Sequence, residues 1–189
     1  KNDVPGAFVE CGVWRGGSVM AMILTLRNLG VSDRRIWLYD TFQGMTEPTS
    51  QDWNQGTGGM AWDEYVQSST GGGGSSWCFA SIDDVRANVA QTGIDPSLVE
   101  YVEGRVETTL TQFCPNSVAL MRLDTDWYES TATELRILYP RLSPGGVCIV
   151  DDYGCWAGSK LAVDEYLLEH GISPFVHRID DHGRQWVKG

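Results

Sequence analysis

Long hydrophobic runs are missing from this 189-residue chain. No uninterrupted apolar stretch approaches the ~20 residues that a membrane helix needs, so no membrane partner is expected. Cationic side chains are scarce as well: 14 Lys and Arg stand against 25 Asp and Glu, a formal net charge of −11. Binding to a phosphate backbone rests on a basic face, and none is visible, which argues against a nucleic-acid partner. There is no Cys-x-x-Cys pair, and the five cysteines are odd in number. Cys11 and Cys148 lie in apolar runs, where a buried thiol is ordinary; reduced cysteines point to the cytoplasm. No internal repeat appears, and the opening Lys1-Asn-Asp-Val-Pro-Gly6 is not a signal peptide. Because the first strand is entered by about Ala7, the chain is expected to be a trimmed version of something longer.

What is present alternates. Apolar strand-like runs at Ala7–Val13, Arg35–Asp40, Val99–Val102, Val118–Leu123 and Val147–Val150 are separated by helical segments at 18–29, 81–92, 107–112 and 130–142. A last helix at 159–169 precedes two strand candidates, 175–179 and 184–188, flanking the turn Asp180-Asp-His-Gly183. This order predicts a single three-layer α/β domain over 1–189, a mostly parallel seven-stranded sheet closed by an antiparallel hairpin, with ligands outside the strand C-termini. The glycine-rich stretch 43–80, with a short helix at 62–67, reads as a mobile lid in which Trp53, Trp62 and Trp77 offer apolar contacts.

Chemistry-bearing residues collect at the strand ends. The turn Trp14-Arg-Gly-Gly17 opens a helix whose free N–H groups suit an anion. Asp40 follows at the offset where an acid accepts hydrogen bonds from a ribose. Two acidic pairs, Asp124 with Asp126 and Asp151 with Asp152, end the fourth and fifth strands. Such acids suit a hard cation, which prefers oxygen ligands, whereas capping alone would not call for four of them. His182 is a second candidate base, His170 and His177 lesser ones, and Arg122 and Lys160 read as ion partners. The pattern G-x-G-x-x-G of nucleotide-dependent oxidoreductases is not met by Gly12-Val-Trp-Arg-Gly-Gly17.

Glu10-Cys-Gly-Val-Trp-Arg-Gly-Gly-Ser18, Tyr39-Asp-Thr-Phe-Gln-Gly-Met45, Leu123-Asp-Thr-Asp-Trp-Tyr-Glu-Ser-Thr131, Leu138-Tyr-Pro-Arg-Leu142 and Gly146-Val-Cys-Ile-Val-Asp-Asp-Tyr153 together resemble the macrocin O-methyltransferase (TylF-like) family. The resemblance implies a Rossmann-like class I methyltransferase fold and a magnesium-dependent enzyme moving a methyl group from S-adenosylmethionine to a deoxysugar hydroxyl of a macrolide or aminocoumarin. More distantly the loop and acid spacing are similar to those of catechol O-methyltransferases, which keeps a small vicinal-diol acceptor as the alternative. Carried over, Glu10, Gly12 and Ser18 would surround the methionine part of the cofactor, Asp40 the ribose, and Gly104 and Arg105 the adenine. Asp124, Asp151 and Asp152 would bind Mg2+, and Asp126 would be the general base. The implied partner is a small-molecule glycoside, with a homo-oligomer left open. The helical segment that family members carry ahead of the first strand has no counterpart here, and the stretch 71–74 matches no family pattern.

Overall fold

The computed structural model describes residues 4–189. The chain begins with β1 (Ala7–Cys11), α1 (Gly17–Asn28) and β2 (Ile36–Asp40), and continues through α2 (Ala61–Ser68), β3 (Ser69–Gly71) and β4 (Gly74–Ser75). Then come α3 (Ile82–Ala90), β5 (Val99–Glu103), α4 (Val106–Gln112), β6 (Val118–Leu123) and α5 (Tyr128–Leu138). It closes with β7 (Leu142–Val150), α6 (Ala157–Glu169), β8 (His177–Arg178) and β9 (Arg184–Val187).

One seven-stranded sheet runs in the order β5-β2-β1-β6-β7-β9-β8. The first five strands are parallel, and β9 pairs antiparallel with both β7 and β8. Val9, Met121, Leu123 and Cys148 are fully or almost fully buried, as expected of parallel strands covered on both faces. One core packs α4, α5 and α6 through Leu110, Leu135 and Val163. The other packs α1 and α3 through Val19, Ile23 and Val85. Helices on opposite faces make the expected three layers. No helix among the described residues is long and apolar enough to cross a membrane.

Strand order reverses between β1 and β6, the position at which open α/β sheets leave a crevice beyond the strand C-termini. The tips there are bonded together: Asp124 N–H donates to Cys11 O and Asp151 N–H to Leu123 O, both at 2.9 Å. Gly12 sits in the seam with φ +77, and a Cβ on it would fall 1.9 Å from Asp124 O.

Several predicted boundaries shift for identifiable reasons. The helix predicted at 130–142 starts at Tyr128 and stops at Leu138, because Pro140 removes a backbone donor and the chain tightens into a 3-10 turn over Tyr139–Arg141. The turn predicted at Ser143–Gly146 is part of β7, and the ladder absorbs it as an irregularity: Leu142 faces Val118, but Val147 faces Leu120. The strand predicted at 175–179 shortens to His177–Arg178. Within 43–80, the run Gly71–Gly73 turns a small hairpin, all three glycines at positive φ. That segment also shares a third core with the loops before α5 and α6, in which Ala61, Met45 and Trp77 pack with Trp127, Trp156 and Cys155. The rings of Trp77, Trp127 and Trp156 meet edge to face. Trp53 and Trp62 remain exposed.

The seam at Gly12 is testable by urea unfolding. Gly12→Ala should lose about 2 kcal/mol or more, because left-handed strain adds to the overlap with Asp124. Gly30→Ala, with φ +75 and nothing within 4 Å, should lose only about 1 kcal/mol. Equal losses would show that the seam is not tight.

Candidate active site

Register explains why charge gathers at the crevice. Glu10 on β1 lies opposite Arg122 on β6, and Asp124, two residues on from Arg122, follows the strand alternation to the same face. Arg122 Nη1 lies 2.5 Å from both Glu10 Oε1 and Asp124 Oδ2, and Nη2 lies 2.6 Å from Asp151 Oδ1. One guanidinium therefore holds three carboxylates from three adjacent strand ends. Its pKa is raised: burial opposes the charge, and the three acids more than restore it.

Beside this cluster, Asp124, Asp126 and Asp152 offer oxygens that all lie within 4.8 Å of one another. Asp126 does not reach this cleft by continuing β6. The strand ends at Leu123, and Asp126 turns the chain at φ +69, a conformation rare outside glycine. Burial is the largest influence on every member of the trio. It raises Asp124 to about 9, with Arg122 opposing and Asp152 and Asp151 adding, and raises Asp126 to about 8, with the Asp124 charge adding. Asp152 is raised well above the carboxylate range by burial and then by Asp126, and its buried Oδ2 has no hydrogen-bond partner. Three crowded acids with an orphaned oxygen fit a hard divalent cation such as Mg2+. The trio includes Asp126 and leaves Asp151 with Arg122, whereas the sequence reading grouped Asp151 with the ligands.

Asp124 also lines an adjoining cleft, together with Gly12, Asp40, Gly104 and Arg105. Five residues picked from sequence thus share one cavity. Asp40 Oδ2 accepts from Val13 N–H at 2.7 Å and Trp14 N–H at 3.2 Å, and Oδ1 accepts from Phe42 N–H at 2.7 Å. The acid braces the glycine turn while one edge faces the cleft. Its pKa is raised by burial despite these bonds. Gly104 N–H donates to Asp40 O, which joins the ends of β5 and β2, and exposed Arg105 pairs with Glu107 at 3.3 Å. Glu10 and Ser18 lie outside this lining but close together. Burial raises Glu10 to about 7, Arg122 and then Ser18 oppose the rise, and the buried Oε2 makes no well-formed hydrogen bond. No side chain caps the N-terminus of α1, and Gly17 has open space where a Cβ would stand. An orphaned carboxylate oxygen beside free helix N–H groups suits an α-amino acid, whose ammonium and carboxylate need those two partners.

Two buried acids were not singled out from sequence. Fully buried Asp52 accepts from Thr49 and, across 76 residues, from Tyr128 N–H at 2.8 Å. Fully buried Glu134 accepts from Thr125 Oγ1 at 2.9 Å, behind the acid loop. A lone acid in a glycine-rich stretch or mid-helix carries no signal until its neighbours are known. Arg122 and Lys160 are ion-paired as expected, Lys160 with Asp164 and near the Tyr153 ring. The side chain of His182 is exposed on the hairpin turn, while its backbone carbonyl accepts from Gly154 N–H beside the second acid pair.

The chain is similar to known proteins over nearly its whole length. Residues 1–188 match the family model described as macrocin-O-methyltransferase (TylF). The chain is 38% identical over 185 residues to the 8-demethyl-8-(2,3-dimethoxy-alpha-L-rhamnosyl)-tetracenomycin-C 4'-O-methyltransferase of Streptomyces olivaceus, covering 98% of this chain and 67% of that one. It is 36% identical to the demethyldecarbamoylnovobiocin O-methyltransferase of Streptomyces niveus, covering 99% and 68%. Among solved structures it is similar to the O-methyltransferase NovP, with a TM-score of 0.84 at 35% identity over 99% of this chain and 73% of that one. With its glycine turn, its strand-end acids and this likeness over nearly its whole length, the chain belongs to the macrocin-O-methyltransferase (TylF) family of S-adenosylmethionine-dependent O-methyltransferases.

Proposed function

We propose that this enzyme methylates a hydroxyl of a deoxysugar carried by a natural product of macrolide or aminocoumarin type, with Mg2+ bound at the acid trio and Asp126 as general base. The observation that carries this reading is the double membership of Asp124, which lines the cofactor cleft and belongs to the trio. Relatives named for rhamnosyl-tetracenomycin, novobiocin and mycinamicin precursors support a glycoside acceptor. The five free cysteines fit a reducing cytoplasm.

Asp124 and Asp152 would hold the ion, and Arg122 keeps Asp124 and Asp151 in register behind it. Glu10 and the first turn of α1 would hold the methionine end of the cofactor, and Asp40 with Gly104 and Arg105 the nucleoside end. When bound, S-adenosylmethionine supplies an electrophilic methyl group and Mg2+ stabilises the alkoxide form of an acceptor hydroxyl. Asp126 would accept the hydroxyl proton: one of its carboxylate oxygens lies within 4.8 Å of those of Asp124 and Asp152, beside the ion they would hold. The Trp156 side chain hydrogen-bonds Asp126, and the Trp77 and Trp127 indoles pack against it.

Calorimetric titration with S-adenosylhomocysteine tests the cofactor assignment: saturable binding is expected, and Glu10→Gln should weaken it roughly 10- to 100-fold. An absence of binding by the wild type would overturn the reading.

The raised acids give the metal a pH signature. Unfolded carboxylates ionise near pH 4, whereas Asp126 and Asp124 hold protons to about 8 and 9. The unfolded chain therefore binds fewer protons than the folded one between those limits, and metal-free stability falls as pH rises. A cation displaces the protons, so the rise in melting temperature with Mg2+ should be larger at pH 8 than at pH 6. No shift at either pH would remove the metal from the mechanism.

Asp126→Asn should bind S-adenosylhomocysteine normally and lose roughly 100- to 10,000-fold in turnover across a panel of deoxysugar glycosides. Undiminished turnover would move the base elsewhere.

A further inference from the structure

Asp52 is a carboxylate with no solvent exposure, in a segment rich in glycine and polar residues. A buried acid is retained only where its oxygens are well bonded. Here Oδ2 accepts from Thr49 N–H at 2.7 Å and Thr49 Oγ1 at 2.9 Å, while Oδ1 accepts from Tyr128 N–H at 2.8 Å. Tyr128 is the first residue of α5, and the residue before it, Trp127, supplies no side-chain cap. Asp52 therefore caps α5 from 76 positions away, and its charge is favoured at the positive end of that helix.

The same oxygen fixes a second helix. A Cβ on Gly158, in the first turn of α6, would fall 1.9 Å from Asp52 Oδ1 and 2.9 Å from Tyr128 N. The two helices start directly after the two acidic loops, one holding Asp124 and Asp126 and the other Asp151 and Asp152. Further contacts tie the segment to the same place: Trp127 Nε1 donates to Thr46 O at 3.0 Å, Ala157 N–H to Trp53 O at 2.9 Å, and Gln55 Nε2 to Tyr153 O at 2.9 Å.

We propose that Asp52 is a positioning residue for the acid trio, clamping the segment 43–68 onto the starts of α5 and α6 and so holding the left-handed turn at Asp126 that aims its carboxylate at Asp124 and Asp152. The segment then acts as a fixed wall of the acceptor side. This inference rests on the metal reading given above. The cleft assigned to the cofactor is lined by the tips of β1, β2 and β5 and also by Gly44, Met45 and Thr46 of this segment, but not by Asp52 itself, so the loss there is expected to be the smaller of the two.

The test titrates Mg2+ and S-adenosylhomocysteine separately into wild type, Asp52→Ala and Asp52→Asn, with hydrogen exchange at the Tyr128 amide as a metal-free reading. Asp52→Ala should lose roughly tenfold or more in Mg2+ affinity, keep S-adenosylhomocysteine affinity within about twofold, and lose protection at Tyr128. Asp52→Asn, whose oxygen still accepts from Tyr128 N–H at 2.8 Å but whose NH2 cannot accept from Thr49 N–H, should keep S-adenosylhomocysteine affinity and lose less Mg2+ affinity than Asp52→Ala. Unchanged Mg2+ affinity in Asp52→Ala, or an equal loss for both ligands, overturns the clamp. If wild type itself binds no Mg2+, the metal reading fails and the clamp is judged by exchange alone, where undiminished protection at Tyr128 in Asp52→Ala overturns it. Should Asp52→Ala fail to fold, Gly158→Ala, which displaces the carboxylate without deleting it, is expected to show the same split and is judged by the same outcomes.

Discussion

Everything at the functional edge of this sheet depends on one guanidinium. Arg122 stands in a parallel strand buried on both faces, where a cation without partners would be costly. Glu10, Asp124 and Asp151 surround it, one from each of three neighbouring strand ends. The arrangement works only in the observed register, because a slip of one residue would turn Arg122 to the opposite face of the sheet. Sheet pairing and site geometry are therefore one constraint. The three acids still outnumber the cation, which leaves the edge hungry for positive charge.

Helix ends supply part of that charge. The N-termini of α1, α5 and α6 follow directly on strand tips carrying acids, and none is capped by its own N-cap side chain. Their partial positive charges favour the carboxylates nearby. They do not satisfy Asp124, Asp126 and Asp152, all of which burial and mutual repulsion push above the usual carboxylate range. The site is thus held in a state that either keeps protons or accepts a cation. That instability is the physical support for the metal proposed there.

The parts legible in the sequence were those set by strand periodicity. Gly12, Asp40, Gly104, Asp124 and Asp151 follow apolar runs, and a parallel sheet brings such positions to one edge whatever the side chains do. The sequence also made Arg122 visible as an ion partner. It could not show that three acids share it, since this needs the pairing of Glu10 with Arg122 across β1 and β6. Strand alternation ends at Leu123 and does not carry Asp126 into the cleft; its left-handed backbone conformation does so instead. Boundaries failed where local chemistry competed with periodicity, at Pro140 and in the Ser143–Gly146 stretch.

The acid loop is also the place where the fold pays a local cost, since a non-glycine residue at φ +69 is disfavoured. Such a turn persists only if its surroundings over-determine it. Thr125, before it, is bonded through its side chain to buried Glu134 and through its carbonyl to Trp127 N–H. Tyr128, after it, is bonded to buried Asp52. Two acids invisible to motif reading therefore hold the two flanks of Asp126, the proposed base. Glu134 reaches its neighbour Thr125 from the helix behind and Asp52 reaches Tyr128 from the segment in front, so the insertion between β2 and α3 is bonded directly to the acid loop.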